Sequence, residues 1–325
     1  MSDKIFTTHP PNIDPLTIKK HLKTHYDVEG ELAFFPSDRD QIISIKADKK
    51  QYVLKIYNFF EDLYNVEMQI LALNHIQDVR FSFDIPIPIQ GIKSIEHINK
   101  EYISCLFSYI QGNLLLKLDE GKKHLRGIGV LMGSLSQSLS EFNHKGRSGD
   151  FPWDIQNIKF LKKNLNHIES RDEVLILKDF IKGYETNVSP VKNKIRKSII
   201  HNDGNKNNII LNAKGQIKGI IDFGDMTNSF TVCDPAICIS YIIQNSKTHS
   251  SDIKQFLDGY LSVYDLNSYE LRCLPYLICV RLSISVTMAA WRKKLFPKNK
   301  YLTISEKPAW SLIHLLKKID LENWI

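Results

Sequence analysis

The 325-residue chain lacks most of the features that would fix its chemistry at a glance. Its five cysteines, Cys105, Cys233, Cys238, Cys273 and Cys279, form no CxxC pair, which argues against a zinc site. Most sit in apolar settings such as Ile-Ser-Cys-Leu-Phe and read as buried free thiols. The eleven histidines show no metal-ligand spacing, and His9, His21, His25 and His144 read as surface residues. No segment combines dense basic charge with interleaved aromatics, so a nucleic-acid partner is not expected. The runs Lys122-Lys123 and Arg292-Lys293-Lys294 read as solvated faces. The amino terminus, Met-Ser-Asp-Lys-Ile-Phe, has no apolar run of the secretory type. The apolar stretch from Tyr276 to Trp291 is broken by Arg281 and reads as too short and polar for a bilayer. These absences point to the cytoplasm and to no membrane partner. Internal repeats and low-complexity tracts are missing as well.

What is present is an ordinary globular balance, with 43% apolar and 24% charged residues. The length allows two lobes with real cores. The first third reads as a mixed lobe. Asp14-Pro15 starts a helix, with Asp as N-cap and Pro at the first helical position, running to about Tyr26. Short β-rich runs follow at Glu31 to Phe35, Gln41 to Ala47 and Gln51 to Tyr57, the last two joined by the polar turn Ala47-Asp48-Lys49-Lys50. Glu61 to Ile76 places Leu63, Val66, Ile70, Leu71 and Leu73 at helical spacing. Glu101 to Ile110 is a further strand, and Gln111-Gly112-Asn113 reads as a hinge.

The remainder is mainly helical. Helices are expected within 114–139 and over 172–187, 232–244, 253–264, 268–296 (broken or kinked near Pro275) and 307–319. Two short strands, Ile209 to Leu211 and Ile217 to Ile221, interrupt them. The fold class is therefore α+β, with a β-rich lobe over residues 1–110 and a larger helical lobe over residues 111–325. Ligands commonly bind between such lobes. A net charge of +7, spread over many lysines, suits an anionic ligand such as a nucleoside triphosphate.

The sharpest signal lies between Ile199 and Asp225. Phosphoryl transfer needs metal ions that bridge phosphates, a carboxylate near the attacking hydroxyl, and fixed geometry. Asp203 follows a short apolar run and lies on a polar turn. Asn208 begins the next strand and Asp222 ends the one after it. A hairpin between those strands brings Asn208 and Asp222 to the same end. Two hard oxygen ligands there suit Mg²⁺, with water and phosphate filling the other positions.

The pattern His201-x-Asp203-x-x-x-x-Asn208, followed by Ile-Asp222-Phe-Gly-Asp, resembles the motif pair of the aminoglycoside phosphotransferase and choline kinase superfamily. These are relatives of the protein kinases, whose HRDxxxxN and DFG elements do the same work. The resemblance implies a two-lobed kinase-like fold, with Asp203 as the catalytic base and Asn208 and Asp222 on Mg²⁺. His201 is then a packing and hydrogen-bonding residue. Tyr52-Val-Leu-Lys55-Ile resembles the VAIK-type strand, which implies Lys55 on the phosphates of ATP or GTP, paired with Glu67 of the following helix. Short motifs match by chance; their order along the chain is what makes the set specific. Further blocks resemble the hydroxylysine kinase branch: Phe35-Pro36-Ser37-Asp38-Arg39-Asp40-Gln41, Phe151-Pro-Trp153-Asp154, Asp-Phe-Gly-Asp225-Met226 and Met288-Ala-Ala-Trp291. That branch implies a hydroxylated amino acid as acceptor and GTP as donor. Aminoglycoside, choline, ethanolamine and homoserine acceptors stay open, as does a catalytically silent binding protein.

Two departures from the superfamily stand out. No glycine-rich GxGxxG loop covers the phosphates, which argues against a protein kinase. Ser37 to Gln41, with Ser37 and Asp40 foremost, are expected to cover them instead. Asn202 stands where many relatives carry glycine. The acceptor site is read from three residues with two readings each. Asp225 faces a substrate amine or a second metal, or it serves a local turn or ion pair. Trp153 and Asp154 line a cationic pocket, or they are a core ring and a helix cap. Arg281 binds a substrate carboxylate, or it is a buried cation paired with Asp234 or Asp225. Asp234 itself is expected to cap the next helix and brace the catalytic loop.

Overall fold

The computed structural model describes residues 3–79, 81–115, 124–244 and 246–324. Helix α1 (Pro15–Tyr26) starts as its sequence dictates, with the Asp14 side chain accepting from the Leu16 and Thr17 amides. Strands β1 (Glu31–Phe35), β2 (Gln41–Lys46) and β3 (Gln51–Ile56) follow. After helix α2 (Leu63–Asp78) come β4 (Glu96–Ile98) and β5 (Tyr102–Ser108). The five strands form one antiparallel sheet in the order β1-β2-β3-β5-β4. Side chains alternate across a strand, so Ile43, Ile45, Leu54 and Ile56 bury against Ile18 and Leu22 of α1. The same alternation turns Lys55 to the opposite face, beside Cys105 on the neighbouring strand.

Strand β6 (Asn113–Leu114) occupies the place expected to be a hinge and pairs with β8 (Ile209–Leu211). Helix α3 (Leu125–Leu139) lies within the stretch 114–139 where a long helix is expected. Residues 116–123, and with them the Lys122-Lys123 run, lie outside the described residues. Then come α4 (Ile158–Asn164), α5 (Arg171–Asn187), β7 (Lys197–Ile200), β9 (Ile217–Ile220), β10 (Thr227–Phe230), α6 (Cys233–Ile242), α7 (His249–Tyr260), α8 (Ser268–Leu295) and α9 (Glu306–Leu316). The fold is thus α+β, an antiparallel sheet lobe followed by a helical one.

Helix α8 runs unbroken through Pro275 and packs against α5, α6 and α9. Its start is a full capping box between Asn267 and Glu270. Contrary to the sequence expectation, it is long and apolar enough to cross a membrane, but 94% of its most apolar window is buried inside the protein. A helix apolar all round is what the centre of a large core requires. Helices α3 and α7 touch backbone to backbone. A Cβ on Gly129 would stand 2.0 Å from the Phe256 carbonyl oxygen, and one on Gly259 would stand 2.0 Å from that of Arg126.

Two surface expectations fail for one reason, the approach of a second element. His21 is 6% exposed, because β5 brings Ser104 Oγ to 2.9 Å from its Nε2. Arg292 is 3% exposed, because the β1–β2 turn reaches across to it; Lys293 and Lys294 stay exposed. All five cysteines are buried and free.

Candidate active site

The pair β7 and β10, missed in the sequence, frames the site: Ile200 lies opposite Thr227. The chain leaves β7 into the loop His201-Asn202-Asp203. Asp234 does not cap α6, whose N-cap is Val232. Its carboxylate instead accepts from the His201 amide at 3.0 Å and the Asn202 amide at 2.7 Å. That carboxylate braces the loop, and burial raises its pKa to about 6. Asn202 takes the left-handed conformation at φ +67°, which Asn tolerates better than most residues.

His201 is fully buried and neutral, its pKa lowered by burial to about 4. Its Nδ1 accepts the Asp203 amide at 3.2 Å and its Nε2–H donates to the Ile221 carbonyl at 3.1 Å. The ring therefore ties the Asp203 loop to the strand end that carries Asp222. The β8–β9 hairpin completes the link, with the Ile221 amide on the Asn208 carbonyl at 2.8 Å.

Asp203 is held at both carboxylate oxygens. Oδ1 accepts from Asn205 Nδ2 at 2.8 Å, and Oδ2 accepts from Asn208 Nδ2 at 2.7 Å. Burial first, then the charge of Asp225, push its carboxyl well above the ordinary carboxylate range, and Arg281 opposes both. Asp222 has φ +62° and a half-exposed side chain, with Oδ1 3.5 Å from Lys55 Nζ. Burial disfavours its charge, but Lys55 and Arg39 outweigh that and hold its carboxyl low. Gly224 lets the cations come this near, since a Cβ there would stand 2.4 Å from Lys55 Nζ.

Several expected roles change. Lys55 pairs with Asp40 at 3.1 Å and with Asp222 at 3.5 Å, not with Glu67. Glu67 of α2 is half-buried, and the carboxylate nearest to Lys55 is that of Asp40, which directly precedes β2. The turn from Ser37 to Asp40 points at the protein. Ser37 Oγ accepts the Asp40 amide at 3.3 Å, and Asp40 is 4% exposed. Asp38 pairs with Arg292 at 2.7 Å, and Arg39 pairs with Asp225 at 2.5 Å and donates to the Gly224 carbonyl at 3.1 Å. Asp225 therefore serves an ion pair while still lining the cleft.

Arg281 is 1% exposed and pairs with neither Asp234 nor Asp225. Its Nη2 lies 3.6 Å from Asp203 Oδ1 and 3.3 Å from the Tyr241 hydroxyl, and Nη1 donates to the Trp153 carbonyl at 3.0 Å. The guanidinium sits 4.6 Å from the Trp153 ring and 5.6 Å from that of Tyr241. Trp153 lines the cleft; Asp154 is fully buried and accepts Ser229 Oγ at 2.7 Å, away from it. Burial raises the Asp154 pKa. Sequence reasoning missed Asn205, Tyr241 and Arg147. The asparagine-rich run 205–208 carried a signal for the first. Nothing around Tyr241 distinguishes it from its apolar neighbours.

The residues Asp203, Asp222, Asp225, Trp153, Tyr241 and Arg281 line one cleft of about 200 Å³ between the lobes. Among the described residues no three His, Cys, Asp or Glu side chains form a metal cluster of their own.

Known proteins share this chain's sequence pattern and fold. The chain is 29% identical to hydroxylysine kinase of Mus musculus over 296 residues, 84% of this chain and 78% of that one. It is 28% identical to hydroxylysine kinase of Xenopus laevis over 318 residues, 88% and 85% of the two chains. An aminopropanol kinase associated with a microcompartment shares the fold at a TM-score of 0.73 and 15% identity, over 93% of this chain and 96% of that one. Amicoumacin kinase hAmiN, solved with AMP-PNP, Ca²⁺ and Ami, superposes at 0.72 and 13% identity, over 96% of each chain. The family model described as the phosphotransferase enzyme family matches residues 31–271, and this chain belongs to that family.

Proposed function

We propose that this protein transfers the terminal phosphate of ATP or GTP, held with Mg²⁺, to the side-chain hydroxyl of a hydroxylated amino acid, with hydroxylysine the foremost acceptor. One observation carries the reading. Four vertebrate relatives, each matched over 68% to 96% of this chain, all bear the name hydroxylysine kinase.

The site's chemistry supports it. Asn208 uses its amide nitrogen on Asp203, and among the described residues its side-chain oxygen accepts no protein hydrogen bond. That oxygen and the half-exposed Asp222 carboxylate are the hard donors a magnesium ion takes. Asn208 and Asp222 would hold such an ion, and it would supply positive charge to the transferring group. Lys55 supplies a fixed cation to those phosphates. Asp203, held by Asn205 and Asn208, orients the acceptor hydroxyl and takes its proton as the oxygen attacks in line. Trp153, Tyr241, Asp225 and Arg281 give the cleft both a ring surface and charges of both signs, which suits a zwitterionic acceptor.

The test is release of GDP and ADP over a panel of hydroxylysine, other amino alcohols, choline and aminoglycosides, with and without Mg²⁺. Turnover is expected with hydroxylysine and the metal, and a chelator abolishes it. Asp203→Ala is expected to abolish transfer while nucleotide still stabilises the protein against heat. Preference for a panel member without a carboxylate would move the acceptor class. Nucleotide stabilisation with no turnover on any acceptor would make the chain a silent member of its family.

A further inference from the structure

A lysine that grips phosphate is aimed by the groups around it, and here the nearest carboxylate stands next to the lysine's own sheet. Asp40 ends the β1–β2 turn, directly before Gln41 of β2. It is 4% exposed, with Oδ2 3.1 Å from Lys55 Nζ and 3.6 Å from Arg39 Nε. Its Oδ1 accepts the Asn58 amide at 2.9 Å. Both oxygens are thus fixed by buried donors. The acids at the head of α2 are engaged elsewhere. Glu61 is buried against Arg147 at 2.7 Å, and Arg147 in turn donates to the Gly224 carbonyl at 2.8 Å. Tyr57, two residues beyond Lys55, donates its hydroxyl to Gln69 of α2 at 2.6 Å, so the helix meets β3 through a neutral pair.

We propose that Asp40 is the positioning residue for Lys55, so that the end of the β1–β2 turn, and not helix α2, sets the aim of the phosphate-binding lysine. The inference rests on the kinase reading above. Lys55 has two carboxylates with different tasks. Asp222 is half exposed and faces the cleft, where a metal and phosphates draw on it. Asp40 is sealed from the cleft and stays as the counter-charge when Lys55 turns from Asp222 to a phosphate oxygen. A shift of α2 then leaves Lys55 in place, since its anchor directly precedes Gln41, where the β2–β3 ladder begins opposite Ile56.

Turnover is measured for the wild type, Asp40→Asn, Asp40→Glu and Glu67→Gln, with nucleotide and acceptor varied separately. Asparagine keeps an oxygen for the Asn58 amide and removes the charge. In Asp40→Asn, kcat/KM for the nucleotide is expected to fall about tenfold to a hundredfold, the cost of a misaimed group. The acceptor KM is expected to stay near the wild-type value. Asp40→Glu should recover part of the loss, and Glu67→Gln should lose less than Asp40→Asn. Wild-type nucleotide kinetics in Asp40→Asn, or a loss in Glu67→Gln that matches it, overturns the proposal. A thermal double-mutant cycle over Asp40→Asn and Lys55→Met on the nucleotide-free protein judges the pair without turnover. Coupled melting shifts are expected, and strictly additive ones overturn it. A wild type that phosphorylates no acceptor would sink the kinase reading alone, because the cycle still decides the pairing.

Discussion

Arg281 Nη2 lies 3.6 Å from Asp203 Oδ1, so the carboxylate proposed as the base faces a buried cation. The cation is itself fixed, by the Trp153 carbonyl, the Tyr241 hydroxyl and two ring faces. Arg281→Gln should lower kcat at saturating acceptor by about tenfold or more, because Asp203 loses its lateral restraint. The melting temperature should fall as well, since removing one partner of a buried pair costs about 3–5 kcal/mol. Arg281→Lys keeps the charge but not the fork and should restore only part of the rate. Steady-state kinetics beside thermal melts check this; an unchanged kcat in Arg281→Gln would refute the restraint.

Asn202 holds a left-handed backbone at φ +67° between two amides clamped by Asp234. Glycine adopts that conformation without a side-chain penalty. Asn202→Gly should raise stability by about 0.5–1 kcal/mol, measured by denaturant unfolding. A decrease would show that the buried amide contributes packing beyond its backbone cost.

The stability of the sheet lobe should depend on pH through His21. Burial, then the neighbouring His25, lower its pKa from 6.5 to about 4. Between those values the unfolded chain binds a proton that the folded one does not, so stability rises with pH there. It is therefore complete above pH 6.5 and is lost as pH falls towards about 4, by up to about 3 kcal/mol. Melts of the wild type and His21→Gln from pH 4 to pH 7 test the sign; parallel curves would assign the acid loss to other groups.

Helices α3 and α7 meet where Gly129 and Gly259 leave no room for a methyl group. Gly259→Ala should destabilise the protein by about 1–3 kcal/mol or more, since backbone atoms would have to part. Gly149→Ala serves as a contrast, because the open space around it and its φ of +72° mean that the substitution strains the backbone without crowding a neighbour. Equal melting temperatures for Gly259→Ala and the wild type would contradict the close crossing.

The local code of this chain was readable where one residue type meets one backbone need. Asp14-Pro15 marks the start of α1, and the alternation in β2 and β3 aims Lys55 at the cleft. The ordering of His201, Asp203, Asn208 and Asp222 survives folding because a single hairpin and one buried imidazole join them. What stayed hidden depends on elements far apart in sequence. Asp38 meets Arg292 and Arg39 meets Asp225 only after the helical lobe has folded. Glu67 had the right spacing for Lys55, yet spacing does not say which acid arrives first. Arg281 needed a carboxylate, but of the two that sequence offered, Asp234 and Asp225, neither is the one it meets, Asp203.

The turn between β1 and β2 is bolted to the helical lobe by two arginine–aspartate pairs, with Phe6 wedged between the arginines at 5.6 Å from Arg39 and 5.5 Å from Arg292. Parting the lobes at that edge would break both bolts and bare an aromatic ring that is now fully buried. That edge is therefore a fixed wall of the cleft, built from both lobes.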